Sequence, residues 1–115
     1  MADNCLFCKM VSGEIKPSLV YDDADVMAFN DINPQAPLHA LVIPKRHIAT
    51  LNDTTADDAG LLGKLMNTAT QIAREAGVAD GGYRVVMNCN ADAGQSVFHI
   101  HLHVLGGRHM RWPPG

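Results

Sequence analysis

Phe98-His99-Ile100-His101-Leu102-His103-Val104-Leu105 alternates histidine with aliphatic residues. In an extended strand successive side chains point to opposite faces, so His99, His101 and His103 share one face and Ile100, Leu102 and Val104 the other. The strand is expected over His99 to Leu105. Its apolar set packs on a helix, and its histidines surround a site. Same-face neighbours lie about 6.5–7 Å apart at Cα, so the imidazoles cannot all charge together, and some stay neutral near pH 7. A neutral imidazole is a good nucleophile toward phosphorus, and a neighbouring imidazolium can hold phosphate oxygens or protonate a leaving group. A metal cage is the competing chemistry, because histidine is also a common ligand. No carboxylate lies within this run to complete a hydrolytic metal site.

Asn88-Cys-Asn-Ala-Asp-Ala-Gly94-Gln95-Ser96 precedes the histidines. This polar loop can offer backbone N–H groups and a hydroxyl to an anion. Tyr83 to Asn88 reads as a β-branched strand after the Gly81-Gly82 turn. Thr54 to Ala76 reads as the one long helix, with Thr54 and Asp57 as a capping box and Gly77 as its end. Leu61, Leu65, Met66, Ala69, Ile72, Ala73 and Ala76 give it one apolar face. His39 to Ile43 is a strand stopped by Pro44, and Asp31 to Pro37 is loop. Leu19 to Tyr21 and Val26 to Phe29 flank Asp22-Asp23-Ala24-Asp25 as a hairpin. Cys5 to Gly13 is a short helix capped by glycine. The expected architecture is α+β, a mostly antiparallel sheet of about five strands with one long helix and a short N-terminal helix.

The chain has 115 residues, enough for a single domain over 1–115, with 47% hydrophobic and 18% charged residues, which excludes a disordered or fibrous class. A formal charge of −3 argues against nucleic acid as partner. No apolar run approaches the roughly 18 residues of a membrane span, and the first residues lack the character of a signal peptide. A cytoplasmic location is expected. Three cysteines, two of them as Cys5-x-x-Cys8, do not read as a disulfide framework, so metal binding or redox chemistry is expected of the pair. Cys89 reads as small packing volume.

Taken together, His99-Ile-His101-Leu-His103-Val-Leu resembles the motif of the histidine triad (HIT) superfamily. Gly94-Gln95-Ser96, Asp31-Ile-Asn-Pro-Gln-Ala-Pro, Leu41-Val-Ile-Pro-Lys and the ending Trp112-Pro-Pro-Gly are similar to its HINT branch, the nucleoside phosphoramidases. The resemblance runs from about residue 5 to the end. It implies hydrolysis of the P–N bond of purine nucleoside 5′-phosphoramidates, with His101 attacking phosphorus to form a nucleotidyl-histidine. His103 would bond the phosphate or leaving group, and His39 would orient the histidines. Asn88, Gly94, Gln95 and Ser96 would meet the phosphate, and Asp31 the ribose hydroxyls. Phe7, Phe29 and Ile32 would line the base pocket. Trp112, in the tail 106–115, would reach the partner's site in a homodimer whose sheet continues across the interface.

Many bacterial members of this superfamily complete a Cys-x-x-Cys pair with two histidines around zinc. The resemblance therefore implies a structural zinc on Cys5, Cys8, His47 and His99, with 38 residues between Cys8 and His47 and 51 between His47 and His99. Four such ligands leave no open position, so no catalytic metal is expected. Other readings are a dinucleoside polyphosphate hydrolase of another branch, a non-catalytic nucleotide-binding regulator, and a zinc-dependent hydrolase.

Overall fold

The computed structural model describes residues 4–115; the leader reading of Met1 to Asp3 falls outside them. The elements are α1 (Leu6–Ser12), β1 (Leu19–Asp22), β2 (Val26–Asn30), β3 (Leu38–Pro44), α2 (Ala59–Glu75), β4 (Tyr83–Val86) and β5 (Leu102–Gly106). The five strands form one antiparallel sheet in the order β1-β2-β3-β5-β4.

Both faces of this sheet are covered, which explains why β2 and β3 read as almost unbroken apolar runs rather than as alternations. On one face Leu65, Ala69 and Ile72 of α2 pack against Ala28, Ala40, Val42, Ile100, Leu102 and Val104. The other face carries Met27, Phe29, Leu41 and Ile43 beneath Cys5 and Phe7. The aliphatic and histidine sets of the 99–103 segment are divided between these two faces. Alternation thus sorts the segment as expected.

The hydrogen-bonded strand is shorter than that alternation. It begins at Leu102, whose partner on β3 is Val42, and not at His99. Pro44 has no N–H to give to a ladder, and its carbonyl accepts a bond from the His99 ring at 2.7 Å. The Ile100 N–H turns instead to the Ile48 carbonyl, 2.8 Å away. Pro44 itself remains within β3, paired with Val26. On the other side β4 ends at Val86, opposite His103, so Met87 and Asn88 lie outside the strand expected to reach Asn88.

The long helix also starts later than Thr54. Two single turns of 3₁₀ helix, Leu51–Asp53 and Ala56–Asp58, lead into it. The carboxylates that close them belong to Asp53 and Asp58, which accept from the backbone N–H groups of Thr50 and Thr55 at 3.1 and 2.9 Å. These take the place of the expected Thr54–Asp57 box. Along α2 the buried residues are Leu65, Thr68, Ala69, Ile72 and Ala73, while Met66 and Ala76 are exposed. Thr68 enters the core because its hydroxyl bonds the Lys64 carbonyl at 2.8 Å, which removes the cost of burying it. The α1 helix ends as expected at Gly13, whose φ of 86° is a conformation glycine adopts without strain.

Candidate active site and metal centre

His101 lies just before β5, buried, with Nδ1 2.8 Å from the backbone carbonyl of His99. A carbonyl only accepts, so Nδ1 carries the proton and the lone pair rests on Nε2. Among the described residues no buried side-chain nitrogen or oxygen lacks a partner. Among the described residues the Nε2 of His101 has no hydrogen-bond partner, so it is reached by solvent. It opens on a cavity of about 480 Å³ lined by Phe7, Phe29, Asp31, Leu41, Ser96, His101 and His103, among others.

A relay of hydrogen bonds sets the neighbouring ring. The backbone N–H of Gln35 donates to His39 Nδ1 at 3.0 Å, which places the proton of neutral His39 on Nε2. That nitrogen lies 2.9 Å from His103 Nδ1 and donates to it. His103 is left with an Nε2–H facing the cavity. Asp31 stands beside this relay, its carboxylate 3.4 Å from His39 Nε2 and also accepting from the Asn33 N–H at 2.8 Å. Burial pushes the His101 pKa below the ordinary range, against the opposing pull of the His99 carbonyl and Asp31. His103 is pushed down to about 4 by burial, with His101 and His39 adding to it. At neutral pH the cluster thus holds two neutral rings, one with a lone pair on Nε2 and one with an Nε2–H.

The other expected contacts are distributed less evenly. Phe7 and Phe29 are buried, meet edge to face at 5.3 Å between ring centres, and form the apolar wall. Ile32 lines the same cavity but is 98% exposed, at its rim. In the 94–96 loop, Ser96 lines the cavity. Gly94 has its N–H on the Ala91 carbonyl. Gln95 is buried, its amide oxygen accepting from Asn90 N–H and its nitrogen donating to the Ala49 and Val97 carbonyls. These groups hold the loop's shape and so are not directed at an anion. Asn88 is half-buried and is not among the residues lining the cavity. Trp112 is exposed on the tail, with the Arg84 guanidinium 6.0 Å from its ring centre. Sequence reasoning missed Leu41 as part of the wall, although its pairing with Phe29 across β2 and β3 puts the two side by side. It also missed the Gln35 N–H that sets His39, a backbone contribution that carries no signal in residue type.

Cys5, Cys8, His47 and His99 come together on the α1 side, their donor atoms all within 4.8 Å of one another. His47 Nδ1 and His99 Nδ1 are 3.3 Å apart, and the Cys8 sulfur lies 3.2 and 3.5 Å from them. The Cys5 sulfur is 3.3 Å from His99 Nδ1. Tetrahedral zinc, with bonds of about 2.05 Å to nitrogen and about 2.3 Å to sulfur, sets nitrogen–nitrogen edges of about 3.3 Å and nitrogen–sulfur edges of about 3.6 Å. The His47–His99 and Cys8–His99 separations match those edges, and the Cys8–His47 and Cys5–His99 contacts lie a few tenths of an ångström inside them. His99 Nε2 donates to the Pro44 carbonyl, which leaves the Nδ1 lone pair aimed inward, the outer-shell arrangement a metal-bound imidazole requires. Burial and the Cys5 sulfur raise the Cys8 thiol to about 11, a penalty that a divalent cation would reverse. These residues therefore fit a thiophilic divalent metal.

A second cavity, of about 520 Å³, lies between the β1–β2 turn and α2 and is lined by Lys45, Arg46 and Lys64. Its cations are already paired, Lys45 with Asp22 at 2.7 Å, Lys64 with Asp25 at 3.0 Å and Arg46 with Asp58.

The chain is similar to several known proteins. The model of the HIT domain matches residues 12–110. A purine nucleoside phosphoramidase of Escherichia coli strain K12 is 47% identical over 108 residues, 94% of this chain and 91% of that protein. An uncharacterised HIT-like protein of Synechocystis is 46% identical over the whole length of both chains. The crystal structure of a HIT family hydrolase from Legionella pneumophila superposes with a TM-score of 0.96 at 54% identity, covering 97% of this chain and all of the other. With its histidines arranged as described and this family matched along most of its length, the chain belongs to the HIT domain family.

Proposed function

We propose that this protein hydrolyses the P–N bond of purine nucleoside 5′-phosphoramidates, releasing nucleoside monophosphate and amine. The observation that carries the reading is the pair of ring orientations at the cavity. His101 offers an Nε2 lone pair and His103 an Nε2–H, a nucleophile and a donor side by side with ring centres 5.1 Å apart. In the first step His101 Nε2 attacks phosphorus, a bond to that nitrogen forms, and the bond to the amine breaks as the departing nitrogen takes up a proton from solvent. His103 bonds a phosphate oxygen or the departing nitrogen. Water then cleaves the nucleotidyl-histidine and regenerates the free ring. The apolar wall of Phe7 and Phe29 suits a purine base, Asp31 the ribose hydroxyls, and Ser96 a phosphate oxygen.

The relative named as a phosphoramidase supports this substrate class. Zinc on Cys5, Cys8, His47 and His99 is assigned a structural role, because four protein ligands leave it no open position. A homodimer in the cytoplasm completes the proposal, with the sheet continued across β4, which lies at the sheet edge and has one side unpaired, and with Trp112 reaching the partner's cavity.

Hydrolysis of an AMP–amine phosphoramidate and of a dinucleoside polyphosphate, compared by kcat/KM, tests the reading. The phosphoramidate is expected to be preferred by roughly tenfold or more, the scale on which one positioned leaving-group contact discriminates. Preference for the polyphosphate would move the chain to another branch of the superfamily. Binding of AMP without turnover of either substrate would make it a nucleotide-binding regulator.

A further inference from the structure

The metal cluster and the cavity share more than proximity. His99 gives its ring to the cluster and its backbone carbonyl to the nucleophile. Phe7 sits in sequence between Cys5 and Cys8 and packs edge-on against His99 and His101, with ring centres 5.8 and 5.1 Å away. Phe7 is also part of the apolar wall. Within α1 it is the only buried residue, and the buried Cys5 caps that helix. The helix is thus anchored by the Phe7 ring and by two sulfurs of the cluster, with Met10 and Val11 packing against the same core as half-buried neighbours. A further cavity on the cluster side, of about 430 Å³, shares Leu6, Ser96 and Val97 with the nucleotide cavity.

We propose that the Cys5/Cys8/His47/His99 cluster and the nucleotide cavity form one coupled unit. In it Phe7 and His99 are positioning residues through which a divalent metal on the cluster raises nucleotide affinity, and nucleotide raises metal affinity. The proposal rests on the nucleotide reading of the cavity. A metal holding both sulfurs fixes α1, hence the Phe7 wall, and it fixes the His99 ring, hence the carbonyl that orients His101. Because coupling between two sites is reciprocal, the two affinities change by the same factor, and such factors typically run from about 5 to 150.

The test uses the full chain loaded with Zn²⁺. Chelator competition gives the metal affinity without AMP and at saturating AMP, and calorimetry gives AMP affinity for loaded and stripped protein. The expected result is tightening of about fivefold or more in each, by one common factor. In Phe7→Leu the metal still binds, AMP binds more weakly with or without metal, and the common factor falls close to one. Unchanged metal affinity in the presence of bound AMP overturns the proposal. So does a factor that persists in Phe7→Leu, because simple unfolding of the stripped chain would produce it without any route through Phe7.

Absence of any AMP heat would overturn the nucleotide reading instead. The positioning is then decided by the His101 Nδ1–H signal in ¹⁵N-correlated NMR at fixed pH. A signal that persists in the loaded protein and is lost on stripping supports it, whereas equal signals in both forms overturn it.

Discussion

The cluster of Cys5, Cys8, His47 and His99 and the cluster of Asp31, His39, His101 and His103 draw on one short run of chain yet are built on opposite rules. In the first, two imidazoles point their Nδ1 atoms at each other, 3.3 Å apart, with sulfurs alongside. Such an arrangement gathers lone pairs around one point. In the second, each hydrogen bond is donated in a definite direction, from Gln35 N–H to His39 and from His39 to His103. The choice is made by backbone carbonyls. Pro44 accepts from the Nε2–H of His99 and leaves the Nδ1 lone pair facing the cysteines, whereas the His99 carbonyl accepts from the Nδ1–H of His101 and leaves the Nε2 lone pair facing the cavity. Two histidines separated by one residue thereby acquire different chemistry from the same side chain.

The sharpest way to separate the clusters is to remove one at a time. His101→Ala is expected to lower phosphoramidate turnover by roughly three orders of magnitude or more, the usual consequence of losing a covalent nucleophile. Its metal content should not change. A mutant that loses metal along with turnover would break the division of labour, and metal analysis beside single-turnover kinetics reads both.

Stripping the metal comes next in size. A ligand set that binds metal in the folded state alone contributes about 4 kcal/mol when the metal stands at a thousandfold over its Kd. For a chain of this length that is a fall in Tm on the order of 10 °C or more. Thermal unfolding with and without a strong chelator measures it. The same chelator should leave the Tm of Cys5→Ser/Cys8→Ser, already without metal, where it was.

The smallest effect is the dependence of stability on pH. His103 in the folded chain is pushed down to about 4, below the value of about 6.5 it has when unfolded. The folded state therefore binds fewer protons between those values. Its contribution stands in full above about pH 6.5 and is lost as pH falls from there through about 4. Urea midpoints at pH 7 and pH 4.5 should differ in this direction, and His103→Asn should reduce the difference. An unchanged slope in that variant would assign the acid sensitivity to other groups.

Much of this was legible in the sequence because two signals are local. Alternation at residues 98–105 divides aliphatic from imidazole side chains whether or not the backbone forms a ladder, so the faces were readable where the strand boundary was not. The boundary depends on Pro44, far away in the chain, which spends its carbonyl on a ring. Helical spacing placed Leu65, Ala69, Ile72 and Ala73 in the core, but it could not show that Met66 lies on the solvent side or that Thr68 is buried through its own backbone bond. The histidine run contains no carboxylate, yet Asp31 comes to it from a loop before β3 and stands beside His39. Gln95 has the residue type of an anion contact, and only the folded loop shows that its amide is already satisfied. Tertiary placement, which no local pattern carries, accounts for each of these.

In the proposed mechanism His101, held as a neutral ring by the His99 carbonyl, is the group that becomes covalently attached to the nucleotide. Rapid quenching of the enzyme during turnover of an AMP–amine phosphoramidate, followed by mass analysis of its peptides under conditions that preserve phosphohistidine-type bonds, tests it directly. A nucleotidyl group is expected on the peptide carrying His101, localised to that residue and absent in His101→Ala. Turnover with no such adduct, together with a His101→Ala variant that keeps its rate, would contradict it.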